Sequence, residues 1–263
     1  MEEFERKKLE IGKKQKVEIQ PPEFEYKRFE KSIKGFENLI KQLAPVFKNN
    51  EYHIVVGDDI SGRIPTLVIG ELMKAINREN KLASPQVLFL PAGHGTPLRF
   101  RKINDSVQSA FNDYFKELSL VGKIDSSNDK VLIVTESIMD GISIENLVKL
   151  WGEKGFSCDV ATLSSNIDPK LYSDPDSDCY RPGLDGIKIY DGGETMPSFW
   201  PEDPSNVGVS RDYRNIFSQK NKPESSYERD RIIGNRRDVK KMADYLKQIY
   251  DRENEKLEKQ NEI

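Results

Sequence analysis

Acidic and hydroxyl side chains follow a short apolar run near the middle of the chain, in an order that predicts ligand binding. The run is Val131–Val134, and Glu136, Asp140, Gly141 and Ser143 come after it. A run of this kind, rich in branched residues, is typical of a buried parallel strand. A carboxylate just beyond such a strand can accept hydrogen bonds from hydroxyl groups or bind a cation.

The residues after Gly141 predict a helix whose first turn could bind an anion. Residues 144–155 carry apolar side chains at helical spacing. The unpaired backbone N–H groups at a helix start attract anions, phosphate above all. In an open α/β sheet, the turn between a strand and its helix is also where ligands bind. The alternative is that these polar residues only cap the helix.

A second strand, turn and helix of the same kind lie earlier in the chain. His53–Asp59 predicts a strand that ends in two acids, and a helix is expected from Ile64 to Asn80. The turn between them, Ser61–Arg63, offers backbone N–H groups and a guanidinium, which makes strong charge-assisted bonds to phosphate. The alternative is that an acid or hydroxyl in this turn merely caps the helix.

The central segment resembles the phosphoribosyl-pyrophosphate loop of type I phosphoribosyltransferases. That family's pattern is four apolar residues, two acids, two mostly apolar residues, Thr or Asp, then Thr, Gly, any residue, and Thr or Ser. Val131–Val134, Glu136, Gly141 and Ser143 match this pattern. The chain departs from it in two places, because Thr135 replaces the first acid and Asp140 stands where Thr usually precedes the glycine.

The resemblance implies a role for each part of the site. The acid would hold ribose hydroxyls, the central loop would bind the 5-phosphate, and the earlier turn would bind pyrophosphate. The implied ligand-binding residues are Ser61, Gly62, Arg63, Glu136, Asp140, Gly141, Ile142 and Ser143. The candidate magnesium ligands are Glu136 and, as a pair of adjacent acids, Asp58 and Asp59.

The resemblance also implies a function, with an alternative on the same fold. The first expectation is an enzyme that binds phosphoribosyl pyrophosphate or a nucleotide, uses magnesium, and transfers a phosphoribosyl group to a base or amine. No catalytic base is evident, since Met139 stands where some purine-salvage members carry Asp. The alternative is a non-catalytic sensor or regulatory subunit, which Thr135 and Asp140 favour. An unrelated doubly wound phosphate-binding protein or hydrolase is the third interpretation, although no Walker loop, nucleophile elbow or dinucleotide fingerprint occurs.

The orientation of Glu136 can be predicted from its place in the strand. A buried carboxylate without a cationic partner would cost several kcal/mol, so we expect Glu136 to face an open cleft. Side chains alternate along a strand, and we therefore expect Thr135 to point to the other side.

Two further segments are candidates for covering the site. Pro91–Pro97 is a glycine-rich loop containing His94, and the resemblance implies that it closes over the reacting centre. Phe199 and Trp200 could provide an aromatic face for a nucleobase, or they could be buried anchors.

Composition excludes several classes of function. The chain has 263 residues and a net charge of −3, which gives no general attraction to nucleic acid or to an anionic membrane. Its two cysteines form no metal-binding pattern or disulfide framework. The sequence contains no apolar run long enough to span a membrane, and we expect a soluble, cytoplasmic protein.

Helical and strand patterns alternate along the chain and predict a parallel, doubly wound α/β sheet of the type I phosphoribosyltransferase kind. We expect the sheet to contain Val131–Val134 as a central strand, flanked by His53–Val56 and Val87–Leu90. The predicted organisation is a charged N-terminal extension over residues 1–31, the α/β domain over 32–218, and a linker with a C-terminal helix over 219–263. That charged helix either packs on the domain or pairs with a second copy in a homodimer.

Overall fold

The computed structural model describes residues 19–58, 62–90, 105–120, 129–194, 199, 209–210, 219–220 and 225–261. Several expectations concern residues outside these ranges: the roles of Asp59, Ser61 and Trp200, and the loop Pro91–Pro97 with His94.

The described residues form helices and strands that alternate along the chain. The helices are α1 (Lys27–Lys48), α2 (Arg63–Glu79), α3 (Asp105–Leu120), α4 (Ile142–Gly152) and α5 (Ser226–Asn261). The strands are β1 (Tyr52–Asp58), β2 (Gln86–Leu90), β3 (Lys130–Ile138), β4 (Ser157–Ser165), β5 (Ile189–Asp191), β6 (Val209–Ser210) and β7 (Gln219–Lys220). Short 3₁₀ turns at Pro169–Tyr172 and Pro182–Leu184 lie between β4 and β5.

Five strands form one sheet in the order β2-β1-β3-β4-β5, and every neighbouring pair is parallel. The prediction of a parallel sheet with Val131–Val134 at its centre is confirmed. Its neighbours were predicted only in part: β3 pairs with β1 and β4, whereas β2 lies beyond β1 at the edge. The order of the strands therefore reverses between β1 and β3, as it does in doubly wound sheets.

Helices cover both faces of the sheet because side chains alternate along each strand. Val55, Leu132 and Val134 belong to the core that packs against α1, α2 and α5. Ile54 and Ile133, with their neighbours, belong to the core that packs against α3 and α4. Strands with apolar residues on both faces must be covered on both sides, and this explains the continuous apolar runs of the sequence.

The first helix begins at Lys27, five residues before residue 32, where the α/β domain was predicted to begin. Its first turn is part of the folded domain, since Phe29 is fully buried and Arg28 is 8% exposed. Phe29 stacks on Phe24, which precedes the helix. The folded part of the chain therefore reaches into the segment that the sequence predicts as a charged extension.

The C-terminal helix α5 packs on the domain, which was one of its two predicted arrangements. Its apolar stripe is buried in the core beneath α1 and α2 and comprises Val239, Met242, Ala243, Tyr245, Leu246, Ile249 and Tyr250. The remaining faces of the helix are highly charged. Throughout the described ranges, no helix combines the length and the apolar composition that crossing a membrane requires.

A buried carboxylate on α5 fixes the chain where it enters α1. Asp238 is fully buried and accepts hydrogen bonds from the backbone N–H groups of Glu25, at 3.1 Å, and Tyr26, at 2.9 Å. These amides precede the helix, where backbone donors lack partners within it. Asp238 thus acts as a capping group supplied by a residue more than 200 positions away.

Replacing Asp238 should lower stability much more than replacing an exposed acid on the same helix. Asp238→Ala leaves two amides without their acceptor, and we expect a loss of about 1–3 kcal/mol in the free energy of unfolding, measured by urea denaturation. Asp244→Ala is the control and should change it by less than about 0.5 kcal/mol. Equal effects of the two substitutions would show that the capping contact contributes little.

Candidate ligand site at the carboxyl ends of β1 and β3

The reversal of strand order places the turns after β1 and β3 at the same edge of the sheet. Gly62, which precedes α2, lies directly against β3, and its N–H donates to the Asp58 carbonyl over 2.7 Å. A Cβ atom at Gly62 would lie 2.6 Å from the Val134 carbonyl oxygen. Only glycine permits so close an approach to backbone atoms, so this position requires it.

A hydroxyl and a carboxylate meet where β1 and β3 end. Thr135 Oγ1 donates a 3.2 Å hydrogen bond to Asp58 Oδ2. Thr135 is fully buried, and Asp58 is 5% exposed. Thr135, which stands where type I phosphoribosyltransferases carry their first acid, is therefore a neutral residue with a hydroxyl engaged by Asp58. The carboxylate on this side of the sheet comes from the neighbouring strand.

The prediction that Glu136 faces an open cleft is wrong. Its side chain is fully buried, and its carboxylate accepts a hydrogen bond from the backbone N–H of Phe199. The positive charge of Arg28 also interacts with it. A donor and a cation are what a buried carboxylate needs, and the chain supplies both from residues far away in the sequence. Thr135 and Glu136 do point to opposite faces, as predicted from strand alternation.

Arg28, whose charge interacts with Glu136, lies in the first turn of α1. Its guanidinium lies 5.8 Å from the centroid of the Phe199 ring and donates to the side-chain carbonyl of Asn235 on α5. Burial is the main cause that lowers the pKa of Arg28, to about 10. The side chain therefore remains a cation at neutral pH and can balance the charge of Glu136.

Glu194 is a candidate functional residue that the sequence does not reveal. It follows β5, and its backbone N–H donates to the Leu163 carbonyl over 2.9 Å, which brings the chain back over the end of β4. Burial, and to a smaller extent the negative charge of Glu136, raises the pKa of Glu194 to about 7. A carboxyl with a pKa near neutrality is a common feature of functional sites. No periodicity or motif marks it, because its environment is built by distant residues.

The loop after β3 has an acid folded onto its own backbone. Asp140 Oδ1 accepts the N–H of Ile142 over 3.1 Å, at the start of α4. Gly141 adopts the left-handed conformation, with φ of 76°, which favours glycine. Arg181 Nε donates to the Asp140 carbonyl over 2.8 Å. The carboxylate therefore uses one of the helix N–H groups that an anionic ligand would need.

Arg63 lies at the start of α2, where its cation stacks on an aromatic ring. The guanidinium carbon is 4.3 Å from the centroid of the Phe89 ring on β2. Such a cation–π contact holds the guanidinium in place while its charge is retained. The structure thus positions Arg63 near the carboxyl ends of β1 and β2.

The two described members of the predicted magnesium set do not fit a single metal site. Asp58 contacts Thr135, while Glu136 points to the opposite face of the sheet and contacts Phe199. Across the described ranges, no cluster of three or more His, Cys, Asp or Glu side chains could hold a metal ion.

The aromatic residue of the predicted cover is buried. Phe199 is 2% exposed and packs edge-on against Phe29, with ring centroids 5.2 Å apart. It also contacts Phe36 on α1, at 6.4 Å between centroids. Phe199 is therefore a buried anchor in this structure and does not present an aromatic face to a ligand.

The raised pKa of Glu194 predicts a pH-dependent contribution to stability. The pKa of this carboxyl group is about 7 in the folded protein, whereas its ordinary pKa is 4.5. Its stabilising contribution is therefore complete below about pH 4.5 and falls as the pH rises towards 7.

Glu194→Gln should remove this part of the pH dependence, because glutamine stays neutral. The measurement is the urea midpoint over a series of pH values, compared with Glu255→Gln on the exposed side of α5 as control. If the urea midpoint of Glu194→Gln changes with pH as steeply as that of the wild type, another group takes up the proton.

Comparison of the chain with protein-family models, with characterised proteins and with solved structures finds no match.

Proposed function

We propose that this protein binds phosphoribosyl pyrophosphate or a nucleotide at the carboxyl ends of β1 and β3, on a sheet of the type I phosphoribosyltransferase kind. One observation carries the proposal: both turns that the sequence singles out start at the edge where the strand order reverses. In doubly wound sheets, ligands bind in the crevice at this reversal.

The chemistry of the two turns supports a ligand with two separate anionic groups. Helices α2 and α4 both begin at this edge, and helix starts favour negative charge through their free N–H groups and their dipoles. Arg63 adds a guanidinium at the start of α2. A phosphoribosyl ligand carries a 5-phosphate and a pyrophosphate, and the two turns could each bind one of them.

Binding at the turn after β3 must compete with Asp140. The carboxylate already accepts the N–H of Ile142, and it would repel a phosphate at the same place. Its side chain must therefore turn away when a phosphate binds, at a cost of about 0.5–1.5 kcal/mol for the hydrogen bond lost. This competition favours modest affinity for the ligand.

Two observations favour ligand binding without phosphoribosyl transfer over the enzymatic alternative. Thr135 replaces an acid and is engaged with Asp58. Glu136, the remaining acid, is buried beneath Phe199. Transfer requires charged groups preorganised around the reacting sugar, and neither acid position offers an accessible carboxylate here. We therefore place a sensor or regulatory subunit ahead of a phosphoribosyltransferase.

Isothermal titration with phosphoribosyl pyrophosphate, with and without magnesium, tests the proposal directly. We expect saturable binding of one ligand per chain, together with no pyrophosphate release in a screen across purines, pyrimidines and amines. Release with any acceptor would instead favour the transferase. Absence of binding for phosphoribosyl pyrophosphate and for nucleoside monophosphates would contradict both versions.

Arg63→Ala should weaken ligand binding by about 1.5–3 kcal/mol, the loss typical of a hydrogen bond to a charged group. The matched control is Arg78→Ala, which removes the same side chain from the exposed far end of the same helix. Titration of both variants under identical conditions gives the comparison. Equal affinities for the two variants would place the pyrophosphate group elsewhere.

A further inference from the structure

We propose that Phe199 is an internal competitor for the Glu136 carboxylate, and that Glu194 controls how firmly Phe199 is held there. The Phe199 N–H already occupies a hydrogen-bonding position on Glu136 that a ligand hydroxyl would use. The contact is therefore autoinhibitory. Its relevance to ligand binding rests on the function proposed above, whereas the contact and its control by Glu194 can be tested without any ligand.

The contact is built from several elements of the fold. The Phe199 ring is 2% exposed and lies against Phe29 and Phe36 of α1. The guanidinium of Arg28 lies over the Phe199 ring, 5.8 Å from its centroid. Packing thus holds the ring while Glu136 holds the backbone. Access to Glu136 from the ring's side requires Phe199 to move.

Glu194 is the second carboxyl group of this region and comes from the same chain segment as Phe199. It lies against α1, because a Cβ atom at Gly35 would collide with its carboxyl group. Its electrostatic coupling to Glu136 is repulsive when both groups are ionised. A protonated Glu194 removes that repulsion, so the closed arrangement is more stable when the proton is present.

Other charged residues determine how well the negative charges of Glu136 and Glu194 are compensated. Among the described residues, Arg28 on α1 is the cation that interacts with Glu136, and Arg231 and Asp238 on α5 act on Arg28 with opposite signs. One buried cation can balance one carboxylate, but not two. Loss of the Glu194 proton near pH 7 therefore leaves an excess negative charge beside Glu136. That charge favours states in which water reaches the pair.

Hydrogen exchange at the Phe199 amide tests this control directly. Protection factors, corrected for the intrinsic effect of pH, would be measured by NMR at about pH 6 and about pH 8, on either side of the Glu194 transition. We expect protection to fall by up to about 10-fold at the higher pH in the wild type. Glu194→Gln should keep high protection at both values.

Asp191→Asn is the matched control, since it neutralises another carboxylate of the same segment and asparagine can still accept the Gly193 N–H. We expect it to retain the pH-dependent loss of protection. Equal protection at both pH values in the wild type would overturn the control by Glu194. The same fall in Glu194→Gln as in the wild type would also overturn it.

Ligand titration tests whether the contact is inhibitory. Phe199→Ala and the milder Phe199→Leu weaken the packing on α1 and should tighten binding of phosphoribosyl pyrophosphate in that order, by up to about 10-fold, because the competent state becomes more populated. Urea denaturation verifies that each variant is folded, and Phe199→Leu serves if the alanine variant is not. Weaker or unchanged binding in the folded variants would overturn the inhibitory role.

The two proposals can fail separately. If phosphoribosyl pyrophosphate does not bind any variant while Phe199 protection follows Glu194 as expected, the proposed function is wrong and the proton-controlled contact stands. If the ligand binds and the protection factors do not respond to Glu194, the proposed function stands and control by Glu194 is wrong.

Discussion

The parallel pairing of β1 with β3 is the constraint on which the candidate site depends. These strands are not consecutive, since α2, β2 and α3 lie between them in the chain. Within the sheet, β2 therefore lies beyond β1, whereas β4 and β5 lie beyond β3. The turns after β1 and β3 meet at the point where the strand order reverses. Gly62 permits the close approach of the chain to β3, because any side chain there would collide with the Val134 carbonyl. Strand order thus determines which polar residues can act together.

The same edge contains a buried carboxylate, and the fold around it reflects the requirement to stabilise that charge. Glu136 has a backbone donor from Phe199 and a nearby cation from Arg28. An unpaired charge at this depth would cost several kcal/mol, so both contacts are needed for the closed arrangement. The aromatic packing of Phe199 on α1 keeps its amide in place. The short motif assigns Glu136 to ligand binding, but in this structure its carboxylate binds the backbone of Phe199.

The sequence predicts the strands well because buried parallel strands have a distinctive apolar composition. β3 begins at Lys130, one residue before the predicted strand Val131–Val134, and extends to Ile138, beyond the apolar run. Neighbours in the sheet could not be predicted, since periodicity carries no information about which strand pairs with which. Alternation correctly separates Thr135 from Glu136, but the burial of Glu136 depends on Arg28 and Phe199, which are remote in sequence. Glu194 was missed for the same reason: its raised pKa results from burial and from Glu136.

The charged C-terminal helix has a closer connection to the site than its composition indicates. Asp238 of α5 holds the amides that precede α1, and Asn235 accepts a hydrogen bond from Arg28 in the first turn of that helix. Arg28 is the cation that interacts with Glu136, and Glu136 in turn binds the Phe199 amide. Each contact in this series is buried or partly buried, where electrostatic interactions are screened less than at the surface. A helix that looks like an appended, solvated segment therefore helps to position the charge that makes a buried acid tolerable at the end of β3.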